Sequence, residues 1–181
     1  ECGNTVQPVI GMKRNITYTF TQTDSSNWFH PVGFAYFADG AHRDVDELEP
    51  GISQSGSDCV DSFTCQAPRY FINGEFVGID YDNSMGVGGE DFGLDVYEPD
   101  FKIPREDWLG NEYTVELTLT DFDYDADIFY FCHIHNDMSA SIKILDDDGN
   151  AVQEAHEPEK PYEYYQPSEF AKICGTFDTE A

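Results

Sequence analysis

Within seven residues, Cys132-His133-Ile134-His135-Asn136-Asp137-Met138, the chain carries a thiol, two imidazoles and a thioether. The apolar run Ile128-Phe129-Tyr130-Phe131 precedes them, and the alternating Ser139-Ala140-Ser141-Ile142-Lys143-Ile144-Leu145 follows. That context predicts strand, tight loop, strand. Soft sulfur beside imidazole suits copper. Two His and one Cys with a weak axial Met form the donor set of a mononuclear copper site that transfers electrons. Cys132, His135 and Met138 stand in the spacing C-x2-H-x2-M. The alternative is a strand-end cysteine locked in a disulfide, with two histidines facing solvent. Short tracts rich in His and Cys are themselves a metal signal, and this favours copper.

Cysteine parity points the same way. The five cysteines are Cys2, Cys59, Cys65, Cys132 and Cys174. The simplest pairing joins Cys59 to Cys65, close in sequence, and Cys2 to Cys174, which staples the two ends and leaves Cys132 free. A free thiol in an oxidising compartment survives best when a metal holds it. A Cys132–Cys174 bond, with Cys2 free or intermolecular, stays open at this point. The sequon Asn15-Ile16-Thr17 together with the cysteines predicts a secreted glycoprotein, and a start at Glu1 without Met fits a removed signal peptide.

The spacing of Cys132, His135 and Met138 resembles the C-terminal ligand loop of the cupredoxins, the small blue copper proteins, in its short, amicyanin-like form. The resemblance covers a few dozen residues around the loop. It implies a Greek-key β-sandwich or barrel, one type 1 copper ion and a fourth ligand, a His, from an earlier strand. His30 is the candidate: it heads the aromatic segment ending at Phe37, and Pro31 after it belongs at a strand start, edge or bulge. His42 competes, but it follows the turn Ala38-Asp39-Gly40 and is expected towards the opposite end of that strand. Cys132 would then supply the thiolate, His30 and His135 neutral imidazoles, and Met138 the weak axial sulfur. His133 is extra, either a neighbour of the ligands or part of a second metal site. Multicopper oxidases carry H-C-H, whereas Phe131 precedes Cys132 here. An electron carrier or metal-binding protein is therefore expected rather than an oxidase. The rivals are a copper store without redox turnover and a metal-free, acidic extracellular interaction domain, Ca2+-dependent in one version.

Elements that would position these groups follow from periodicity. Glu112 to Leu119 alternates, with Tyr113, Val115, Leu117 and Leu119 on one face, as in a half-buried antiparallel strand. Asn15 to Thr21 is a Thr- and aromatic-rich strand, and residues 1–14 an edge strand or its approach. Tyr70 to Ile79 is a hairpin turning at Asn73-Gly74. Gly93 to Tyr97 suggests a short strand, and Arg105 to Trp108 one helical turn. The prediction is one all-β domain over residues 1–181, with an insertion-rich middle at 43–100 and an acidic, Tyr-rich tail at 151–181.

Nine basic residues face 36 acidic ones, for a net charge of −27. Such a surface repels nucleic acid and anionic membranes, and no apolar run reaches membrane-spanning length. The expected partner is a redox protein with a basic surface or a small-molecule reductant. Two acidic stretches, Asp121/Asp123/Asp125/Asp127 and Asp80/Asp82 with Glu90 and Asp91, lack the EF-hand pattern and are expected to be solvated loops, with Ca2+ as a weaker alternative.

Overall fold

In a computed structural model, residues 7–43, 47–48, 68–78, 93–119 and 127–152 are described. The strands are β1 (Ile10–Lys13), β2 (Thr17–Thr21), β3 (Val32–Ala35), β4 (Arg69–Ile72), β5 (Glu75–Phe76), β6 (Tyr113–Thr118), β7 (Ile128–Cys132) and β8 (Ser139–Leu145). They form two four-stranded sheets, ordered β1-β8-β7-β3 and β2-β6-β4-β5. The first is mixed, because β1 runs parallel to β8 while β7 is antiparallel to both β8 and β3. The second is antiparallel throughout. Neither sheet closes into a barrel among the described residues.

One core draws on both sheets, as in a sandwich. Met12, Phe34, Ile128, Ile142 and Ile144 come from the first sheet, and Tyr18, Tyr70, Tyr113, Val115 and Leu117 from the second. The alternation in β6 produces this directly: Tyr113, Val115 and Leu117 are buried and the residues between them are not. At the hairpin, Asn73 (φ 55°) and Gly74 (φ 78°) both take positive φ, as the tight primed turn requires. Strand β7 departs from simple alternation, since Phe129 and Phe131 are buried along with Ile128 and Cys132. Its second face is covered by the turn after β3, where Gly40 lies against the Phe131 ring.

Two short helices, α1 (Leu94–Asp100) and α2 (Arg105–Trp108), plug the core. The turn expected at 105–108 is α2. The strand expected at 93–97 is instead the start of α1. The reason is the spacing of its apolar residues: Leu94 and Tyr97, three apart, are buried, while Val96 is 47% exposed. Gly93 admits the helix with φ 102°, where a Cβ would lie 2.9 Å from the Gly78 nitrogen. Tyr97, Phe101 and Trp108 from this segment pack on Tyr113, with Trp108 stacked on it at 5.0 Å and 7°. Part of the middle region is thus a structural component of the sandwich.

Candidate metal centre

Strand register builds the site. β7 ends at Cys132, whose partner in β3 is Val32. Because the pair is antiparallel, the arm before β3, which carries His30, lies at the same end as Cys132 and the loop that follows it. Two main-chain bonds close this end: His133 N–H donates to the Pro31 carbonyl (2.9 Å), and Cys132 N–H to the Met138 carbonyl (3.0 Å). Pro31, which has no N–H, fits here because β3 is an edge strand. Phe29 enters the arm at φ 69°, an unusual conformation for a bulky residue. Its ring packs on Trp28 (5.3 Å) and near His135 (6.0 Å). His30 is then fixed at both main-chain groups, N–H to the Asn27 carbonyl (2.8 Å) and carbonyl from Gln22 Nε2 (2.7 Å).

The result is a triangle of donors. Nδ1 of His30 lies 3.5 Å from Cys132 Sγ, and Nδ1 of His135 lies 3.4 Å from it. One ligand atom from each of the three residues falls within 4.8 Å of the others. A metal bound to thiolate at about 2.3 Å and imidazole nitrogen at about 2.0 Å spans roughly 3.5 Å between S and N at tetrahedral angles. The separations match, so the residues fit a metal ion. Cys132 is buried, His30 half-buried and His135 partly exposed. The His135 N–H points at Sγ from 3.4 Å. Met138 closes the loop through its carbonyl, and the residue is 39% exposed.

Burial sets the protonation of the ligand groups. Burial holds the Cys132 thiol above its usual range, and Glu98 and Asp39 add to this against the main-chain N–H groups of Ile134 and His135. Burial, then the neighbouring His135, pushes His30 down, so its ring is neutral and its nitrogen lone pair available near neutral pH. A metal held here would take the place of the thiol proton on Cys132.

The other two described histidines, His133 and His42, are not in the triangle. His133 Nδ1 lies 2.5 Å from Glu98 Oε2 and its Nε2 3.4 Å from Glu47 Oε1. Burial alone would lower its pKa, but the two carboxylates outweigh that and raise it. Glu98 is held below the usual range despite burial, by Lys102 and His133. His42 was expected towards the far end of the β3 segment. Instead the 3₁₀ turn Gly40–Arg43 folds it back, and its Nε2 lies 3.0 Å from the Cys132 carbonyl. Since that oxygen only accepts, His42 donates. The same turn supports the ligand loop: Asp39 Oδ2 accepts Asp137 N–H at 2.7 Å, and Arg43 pairs with Asp137 at 2.9 Å.

Gln22, Glu47 and Glu98 carry no motif that marks them as part of a site. Gln22 was detectable only as a polar residue just after a strand, and the two glutamates only as members of acidic stretches. Gln22 is 7% exposed and its side chain serves four groups: besides the His30 carbonyl, its Nε2 donates to Asn27 Oδ1 (3.4 Å), and its Oε1 accepts Val32 N–H (3.0 Å) and Tyr97 O–H (3.1 Å).

The expected disulfides need correcting. Among the described residues there is no disulfide bond, and Cys132, the one cysteine among them, is a free thiol facing two imidazoles. Cys2, Cys59, Cys65 and Cys174 lie outside the described residues. Of the two acidic stretches, only Asp127 is described, and it pairs with Lys143. Asn15 of the sequon is exposed.

No known protein-family model matches the chain, and no curated protein or solved structure is similar to it. Fold and site alone therefore define the class: a β-rich protein of two packed four-stranded sheets with a His2Cys cluster able to hold a metal ion at one end of the first.

Proposed function

We propose that this chain is a cupredoxin-type electron-transfer protein in which His30, Cys132 and His135, together with Met138, would hold one copper ion at a type 1 site. The observation that carries this is the donor triangle, in which two imidazole Nδ1 atoms lie 3.4 and 3.5 Å from a free, buried thiol. Borderline and soft donors of this kind, without a carboxylate, suit copper over hard cations. When bound, copper would supply a one-electron couple. The protein's part is to keep the ligands from moving: β7 and β3 fix Cys132 and His30, and main-chain bonds fix the loop. His135, partly exposed, would be the point of contact with a partner. The net charge of −27 favours a partner with a basic face. No helix among the described residues is long and apolar enough to cross a membrane. In this reading the protein works outside the cell, where the exposed Asn15 would be open to glycosylation.

Potentiometric titration of the copper-loaded protein tests the function. A single reversible one-electron wave, with stoichiometric copper, is expected. Tight copper binding without a reversible wave would assign the protein to storage or transport instead.

A further inference from the structure

Among the residues around the triangle, His133 has the most unusual setting. It follows Cys132 directly, yet its ring turns away from the ligands and is caught between two carboxylates. Glu98 Oε2 is the hydrogen-bond acceptor at Nδ1, and Glu47 Oε1 faces Nε2 from the other side of the ring. All three side chains are largely buried, 20% exposed for His133, 9% for Glu47 and 20% for Glu98.

Glu47 is anchored through its main chain and Glu98 through its carboxylate. Glu47 bridges Ala35 on the outer edge of β3, and next to it Leu48 N–H donates to the Phe34 carbonyl at 2.9 Å. Glu98 sits in α1, with its other oxygen on Lys102 at 2.5 Å. Its neighbour Tyr97 donates to Gln22, whose amide nitrogen holds the His30 carbonyl. A closed circuit results: Cys132, His133, Glu98, α1, Tyr97, Gln22, His30. His133 N–H on the Pro31 carbonyl is a second, shorter link. Gly33 leaves room for the ring, since a Cβ there would lie 3.3 Å from His133 Cδ2.

We infer that His133 is a positioning residue: clamped between Glu47 and Glu98, it locks Cys132 to the His30 arm and keeps the donor triangle assembled before any metal arrives. A buried histidine with satisfied nitrogens could serve stability alone. What sets this one apart is that both anchors lead back to the His30 arm or to the strand that continues it, and so to a ligand 102 residues from Cys132. The consequence for copper rests on the proposed function, but the consequence for the metal-free thiol does not.

The test uses the full chain, with His133→Gln, Glu98→Gln and His133→Arg. In the metal-free native protein, iodoacetamide labelling is followed at Cys132 by peptide mass spectrometry. Loss of a charge-assisted bond should speed labelling about tenfold in H133Q and by less in E98Q. H133R, whose fork can donate to both carboxylates, should recover part of the protection. With copper, H133Q should shift the visible band and weaken binding by about 10–100-fold, the range for groups that orient ligands. If H133Q does not fold, E98Q decides. Labelling of Cys132 within about twofold of wild type in both H133Q and E98Q would overturn the clamp. A wild-type protein that takes up no copper would sink the electron-transfer assignment and leave the labelling result to judge the clamp alone.

Discussion

Replacing Gln22 with Leu probes how the His30 arm is held. Leu keeps most of the volume and removes both polar ends. Three groups then lose a close partner, the His30 carbonyl, the Val32 N–H and the Tyr97 hydroxyl, and the longer bond to Asn27 Oδ1 is lost as well. The hydroxyl is the most costly, because Tyr97 is fully buried and water cannot replace Gln22 there. At about 2 kcal/mol for it and about 1 kcal/mol for each half-buried main-chain group, the loss is about 4 kcal/mol. For a chain of this size that lowers Tm by about 8–16 °C. Urea unfolding of metal-free protein measures it, and a double-mutant cycle with Tyr97→Phe localises it. Y97F alone should cost about 1 kcal/mol but should recover about 1–2 kcal/mol when added to Q22L, since it removes the orphaned hydroxyl. Copper affinity should also fall, by about 10–100-fold, because His30 is no longer fixed. A Q22L protein within about 1 kcal/mol of wild type, or a cycle without coupling, would refute the assignment of Gln22 as the brace of the arm.

Other perturbations have equally definite outcomes. Gly40→Ala combines a positive φ of 36° with a Cβ 2.5 Å from the buried Phe131 ring, and should cost about 2–4 kcal/mol in chemical denaturation; a neutral result would mean that the ring can move aside. Gly33→Ala, 2.8 Å from the same ring without the strained φ, should cost less, about 1–3 kcal/mol. Burial, joined by Tyr113 for Tyr97, raises the pKa of Tyr97 and Tyr130, and burial with Asp100 raises that of Tyr113. A raised pKa means that the neutral phenol is favoured in the folded state. The stability it adds is present below the ordinary value of about 10 and is lost as pH rises through and above it. Alkaline titration should therefore show these rings ionising only with cooperative unfolding, and simple ionisation of every tyrosine near pH 10 in a folded protein would contradict their burial. With a net charge of −27, self-repulsion opposes folding, so Tm should rise on going from low salt to about 0.5 M NaCl; a flat response would show that the charges are already compensated.

What could be read in the sequence was whatever depends on local order. The alternation of β6, the Asn73-Gly74 turn and the run of residues from Ile128 to Leu145 each encode their element within a few positions. The loop from Cys132 to His135 was visible for the same reason, as its groups are adjacent in the chain. His30 was found only because a three-donor loop implied a missing partner. Groups brought in by tertiary folding left no comparable trace. Glu98 reaches His133 from a helix whose start was read as a strand, because Leu94 and Val96 fit period two while Leu94 and Tyr97 fit the helical period. His42 returns to the Cys132 carbonyl through a 3₁₀ turn whose direction depends on Gly40 fitting against Phe131, a contact between residues 91 positions apart. Gln22 resembles any polar residue after a strand until α1 and the His30 arm close over it.

The most direct measurement is the visible absorption spectrum of the pure protein with one equivalent of Cu(II), recorded beside Cys132→Ser. An intense thiolate-to-copper band in the wild type that vanishes in the variant is the predicted result, and it would establish a copper–thiolate centre at Cys132. Absence of such a band in the wild type, with the fold intact, would contradict the type 1 copper assignment.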